Sequence, residues 1–127
     1  MTPQQKLKHA ILLKAVVHKT IADPGQITAG NVDEVYDDLN VDGNLQDARE
    51  KIRCSGTETG LTCNWSRHYE SDAVAAQMPD GSWVGWTYWY GGGKHGEPEA
   101  IEWIAHAYDL ACEEKQVTVT QRTFTKI

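Results

Sequence analysis

Three consecutive pieces of this chain constrain its fold more than any others. Arg67–Gln77 reads as an extended segment, Met78-Pro79-Asp80-Gly81 as a turn, and Ser82–Tyr90 as a strongly aromatic strand. Proline and glycine stand where turn chemistry wants them. The aromatic run is built from residues that favour a pleated surface. Together they predict an antiparallel hairpin or meander. Leu61–Trp65 adds a further extended segment before it.

The chain before the hairpin is helical in character. Thr2-Pro3-Gln4-Gln5 carries an N-cap, a proline at the first helical position and a capping-box glutamine. The helix is expected to run to about Thr20 and to end before Asp23-Pro24-Gly25. Its apolar residues lie nearly all round, which suits burial on more than one side and makes a homodimer a natural expectation. Shorter helices are expected over Val32–Leu39, capped by Asn31, and over Leu45–Arg53.

After the hairpin comes the loop Gly91–Gly96, then Pro98 at a helix start with Glu97, Glu99 and Glu102 near the positive end of its dipole. Ile101, Ile104, Ala105 and Tyr108 fall at helical spacing and predict one apolar face. Gln116–Lys126 is rich in Val and Thr and reads as a last strand. The expected order is α-α-α-β-β-β-α-β. This is an α+β domain with N-terminal helices packed on a small antiparallel sheet. All 127 residues suit one domain, helical over 1–54 and sheet plus helix over 55–127.

Charge narrows the partners. The net charge of −6 is poor for a protein that displaces counterions from nucleic acid, so no direct nucleic-acid partner is expected. Residues 1–22 carry four lysines and no acid, whereas residues 23–50 carry eight acids and one arginine. Such asymmetry marks either an interaction face or helices of opposite charge lying side by side. The apolar run Ala10–Val17 is too short to span a bilayer, and no membrane partner is expected. Cys54, Cys63 and Cys112 show neither disulfide nor zinc-knuckle spacing, which suits a reducing, cytoplasmic compartment.

Several residues are able to carry chemistry. Trp83 and Trp89 point to one face of the aromatic strand, and Trp86, Tyr88 and Tyr90 to the other. Either both faces are buried or one is a binding surface. Lys94 and His95 lie in the glycine loop beside a helix start, a place where anions bind, although the Walker pattern is missing and three nearby carboxylates oppose an anion. His68 flanks the same hairpin. His95 with Ser66 or Cys63 is the only base–nucleophile pairing that suggests itself, and no catalytic residue is assigned. The candidate binding set is Trp83, Trp86, Tyr88, Tyr90, Lys94, His95 and His68.

Asp38-Leu39-Asn40-Val41-Asp42-Gly43-Asn44-Leu45 matches the first eight positions of an EF-hand loop. Arg49 replaces the closing bidentate acid, and Glu50 comes one residue late. The same residues also make an Asx-rich linker between helices. No metal ligand and no cofactor are assigned.

Ser66-Arg67-His68-Tyr69-Glu70, the stretch Pro79–Glu99 with its YWYGGGKHG core, Val117-Thr118-Val119 and Arg122-Thr123-Phe124 give the chain a resemblance over residues 66–126. It resembles small uncharacterised proteins encoded by tailed phages and prophages. No activity or catalytic residue attaches to that group. Small size, the lack of a catalytic constellation and the rich aromatics favour a non-enzymatic phage or prophage accessory protein, cytoplasmic in the host, that binds a bacterial host protein and modulates a host process or defence. A DNA mimic directed at a host enzyme is one form of it. The alternatives are a small enzyme or anion-binding domain at loop 91–96, and a calcium-binding loop at 38–50.

Overall fold

A computed structural model describes all 127 residues. Helix α1, Pro3–Val17, starts as its sequence dictates. The Gln5 amide donates to Thr2 Oγ1 at 3.1 Å, and the Thr2 amide donates to Gln5 Oε1 at 2.9 Å. The helix stops before Thr20. Lys19 takes a left-handed φ of 59°, its amide bonds to the Val16 carbonyl, and the Thr20 amide bonds to the Ala15 carbonyl. This is a Schellman closure made without glycine, which is why composition does not announce it.

Helix α2 spans Val32–Leu39 and α3 spans Gln46–Arg53. Both lie against α1. Leu7, Ile11, Leu12 and Ala15 of α1 are buried with Val32, Tyr36, Leu45, Ala48 and Ile52. Leu13 and Val17 remain exposed on the far side of α1.

The second layer is a four-stranded antiparallel sheet in sequence order: β1 Thr57–Glu58, β2 Glu70–Gln77, β3 Trp83–Tyr90 and β4 Tyr108–Leu110. The hairpin pairs Glu70 with Tyr90 through to Gln77 with Trp83. Its turn is closed by the Met78 amide on the Ser82 carbonyl at 2.7 Å, with Gly81 at φ 87°. Val74, Ala76, Val84 and Trp86 face the helices and complete the core. The opposite face carries Ser71, Ala73, Ala75, Gly85, Thr87 and Trp89 by alternation. Segment 61–65 crosses it, held by Ser71 Oγ on the Asn64 carbonyl at 2.8 Å. Tyr108 covers Gly85 so closely that a Cβ there would fall 2.6 Å from its ring.

The fold class is the one expected, an α+β domain. Three elements differ. Leu61–Trp65 is not a strand, because pairing along β1 ends at Gly60, whose φ of 76° turns the chain off the edge. The helix expected after Pro98 is a single 3₁₀ turn, Pro98–Ala100. Beyond it, Trp103, Ile104 and Ala107 are buried, while Ala105, which the expected apolar face included, is exposed. Glu102 Oε1 accepts the Ile104 and Ala105 amides at 3.0 Å, and Gln4 Nε2 donates to the Ala105 and Ala107 carbonyls. These contacts, with Trp103 against Trp86 at 5.5 Å between centroids, outweigh helical propensity. The last strand is Tyr108–Leu110. Residues 116–126 have no strand partner. No helix is long and apolar enough to cross a membrane.

Candidate binding surface on the sheet

The structure divides the seven candidate residues. Trp86 is fully buried and donates from Nε1 to the Arg53 carbonyl at 3.2 Å. It is a core residue and is not available to a partner. Trp83 is half-buried on the opposite face, in a groove with Leu61, Ala75 and Leu110. His68 and Tyr90 line a shallow concavity of about 480 Å³ together with Trp65, whose side chain is 85% exposed. Lys94 and His95 are exposed in a 3₁₀ turn, make no ion pair, and line neither of these concavities.

The glycine loop has a structural explanation. Gly91, Gly92 and Gly93 all take positive φ, at 79°, 87° and 71°. A Cβ on Gly92 would lie 2.5 Å from the Tyr69 ring. Tyr69 Oη in turn accepts the Glu97 amide at 3.2 Å. The loop is thus wrapped on a tyrosine and closed by the Gly96 amide on the Gly93 carbonyl at 3.0 Å, so close packing and turn geometry account for its glycines.

Sequence reading missed Arg53. It is 5% exposed, and its charge is fully engaged. Nε and Nη2 donate to the two Glu50 oxygens at 2.9 and 2.7 Å, Nη1 donates to the Trp89 carbonyl at 2.7 Å, and the guanidinium lies 4.8 Å from the Tyr88 ring centroid. The paired guanidinium holds the Glu50 carboxyl below its ordinary range. An arginine near a helix C-terminus ordinarily reads as a dipole partner on the surface, and nothing local announces the sheet beneath it. Cys54 sits beside this cluster, its Sγ 3.4 Å from Glu50 Oε1 and 3.9 Å from Tyr88 Oη. Burial and then Glu50 push its thiol up, the opposite of what a nucleophilic cysteine needs.

Arg53 braces a tyrosine platform. Tyr88 and Tyr90 stack with centroids 5.6 Å apart and planes 20° apart. They lie on the face that carries Trp86, further along β3: Tyr88 packs against the margin of the helical core, and Tyr90 lies beyond it. Both rings are half-buried. Glu70 and Asp72 oppose them on β2. The Tyr90 phenol is raised by burial and then by the carboxylates of Asp72, Glu70 and Glu58. Glu50 lies behind Tyr88, so four carboxylates act on the pair; Arg53 is already bound to Glu50, and Arg67 lines the concavity beside Tyr90. Such a surface attracts a cation both through the ring faces and through the carboxylates.

In the loop between α2 and α3, Asp42 and Gly43 take positive φ, at 53° and 72°. No three His, Cys, Asp or Glu side chains gather anywhere in the chain as a metal-holding group. Arg49, where an EF-hand would close, instead lines a concavity with Lys8, Tyr36 and Glu102. Comparison with protein-family models, with curated proteins and with solved structures finds no match to this chain.

Proposed function

We propose that this chain is a non-enzymatic binding protein that docks on a bacterial host protein by receiving a Lys- or Arg-bearing segment on the Tyr88–Tyr90 platform. The observation that carries this reading is the stacked, half-exposed tyrosine pair ringed by Glu50, Glu58, Glu70 and Asp72. Aromatic rings and carboxylates together suit a guanidinium or ammonium group. The net charge of −6 steers a basic partner toward the molecule. A bacterial partner, and an accessory role in host modulation of the kind a phage or prophage protein plays, belong to the same proposal.

The test is binding of a short Lys/Arg-rich peptide, followed by intrinsic fluorescence and by calorimetry at rising salt. Binding is expected to weaken with salt and to fall at least tenfold in Tyr90→Ser and in Asp72→Asn. Affinity capture from bacterial lysate should recover a specific protein with the wild type that both variants lose. Equal peptide affinity for wild type and variants, or capture of the same protein by all three, removes the platform as the binding surface.

A further inference from the structure

The strand-like C-terminal segment is the feature left without a role. Residues 116–126 alternate Val and Thr around Val117 and Val119, and contain no acid. Val117, Val119 and Phe124 are 77%, 77% and 88% exposed. A β-prone, apolar segment left in solvent is a strand in search of an edge or a groove. The fold offers such a groove on the outer face of the sheet. It has a volume of about 360 Å³ and is lined by Leu61, Ala75, Trp83 and Leu110, with Glu58 and Glu113 among its charged residues. Beside it, β4 and β1 are the terminal strands of the sheet, each with one edge unpaired.

We infer that this groove receives residues 116–124 of a second copy of the chain, so that two copies exchange their C-terminal segments. Two observations select this occupant. The charges complement one another: the segment and its approach carry Lys115, Arg122 and Lys126, and the groove carries Glu58 and Glu113. The chain's own segment is poorly placed to return, because it leaves the groove at Glu113 and Glu114-Lys115-Gln116 holds no Gly, Pro, Asn or Asp to reverse it. An extended segment from a second copy needs no reversal. Its alternate side chains, Val117 and Val119, enter the groove while Thr118 and Thr120 face outward. The exchange is reciprocal and closes as a twofold dimer. It leaves the Tyr88 and Tyr90 rings uncovered, with Glu58 shared between the groove and the acids around the platform.

The experiment is sedimentation of the full chain across the micromolar range, with hydrogen exchange on the same samples. The expected result is a mass that rises from 14.2 kDa to twice that with concentration, and slowed exchange at residues 117–124 in the dimer. The double variant Val117→Asp, Val119→Asp alters only exposed side chains and is expected to stay monomeric. So is Leu61→Asp on the groove side, and circular dichroism should show both folded. Mixing the two variants restores one of the two dockings, so mass should rise again in the mixture. A full chain that is monomeric throughout, including one whose segment is protected on its own groove, overturns the proposal. A dimer that survives both variants does the same.

Discussion

Arg53 Nη1 donates to the Trp89 carbonyl at 2.7 Å and thereby ties the end of α3 to the central strand β3. The bond matters because the same guanidinium neutralises Glu50 and lies against Tyr88. One side chain joins the helical layer to the sheet and sets the position of the tyrosine pair.

Replacing Arg53 with alanine is expected to cost about 2–3 kcal/mol in urea unfolding, at or below the low end for a broken buried ion pair because Glu50 still reaches water. Arg53→Lys is expected to recover only part of this, since an ammonium has no planar fork for both Glu50 oxygens and the Trp89 carbonyl. Full recovery by lysine would show that charge alone matters at this position.

The same pair gives stability a pH dependence. Arg53 lowers the Glu50 carboxyl in the folded chain, so the unfolded chain binds its proton more tightly. The stabilisation is therefore present above the unfolded carboxylate pKa and is lost as pH falls through it toward the folded value. Unfolding midpoints measured from pH 7 down to pH 3 should decline less steeply for Glu50→Gln than for the wild type. Parallel declines would assign the acid sensitivity to other groups.

Gly92 and Gly93 separate two kinds of glycine requirement. Both have positive φ, but a Cβ on Gly93 meets nothing within 4 Å, whereas one on Gly92 strikes the Tyr69 ring. Gly93→Ala is expected to cost about 1 kcal/mol from backbone strain alone, and Gly92→Ala distinctly more. Tyr69→Ala combined with Gly92→Ala should cost less than the sum of the two single changes, as measured in a double-mutant cycle. Additive costs would mean that the ring contact is not what demands glycine.

Calcium added to millimolar concentration is expected to leave the melting temperature and tryptophan fluorescence unchanged. The α2–α3 loop gathers no triad of acidic side chains, and Arg49 occupies the closing position. A saturable rise in melting temperature that Asp38→Ala abolishes would restore the loop as a cation site.

The α+β class, the three N-terminal helices and the β2–β3 hairpin were legible because their signals are local. Thr2, Pro3 and Gln5 satisfy a helix start within one turn, and Pro79-Asp80-Gly81 forces a reversal between two β-prone runs. The segment after Pro98 was not legible. Its helical spacing is real, but Trp103 gains more by reaching Trp86, and Glu102 and Gln4 take the backbone groups that a helix would use. The candidate site divided for the same reason. Alternation along β3 correctly put Trp86, Tyr88 and Tyr90 on one face, but not how far the helices reach along it.

The amino-acid sequence by itself determined the start of α1, the presence of the three N-terminal helices, the reversal at Pro79-Asp80-Gly81 and the two faces of the aromatic strand, because each of these rests on contacts between near neighbours. Only the tertiary structure decided which aromatic rings are core and which are surface, because that depends on where α3 ends above the sheet. The burial of Arg53 on Tyr88, and the exposure of the Val117–Phe124 segment, follow from packing between parts of the chain that are distant in sequence and are written in no local pattern.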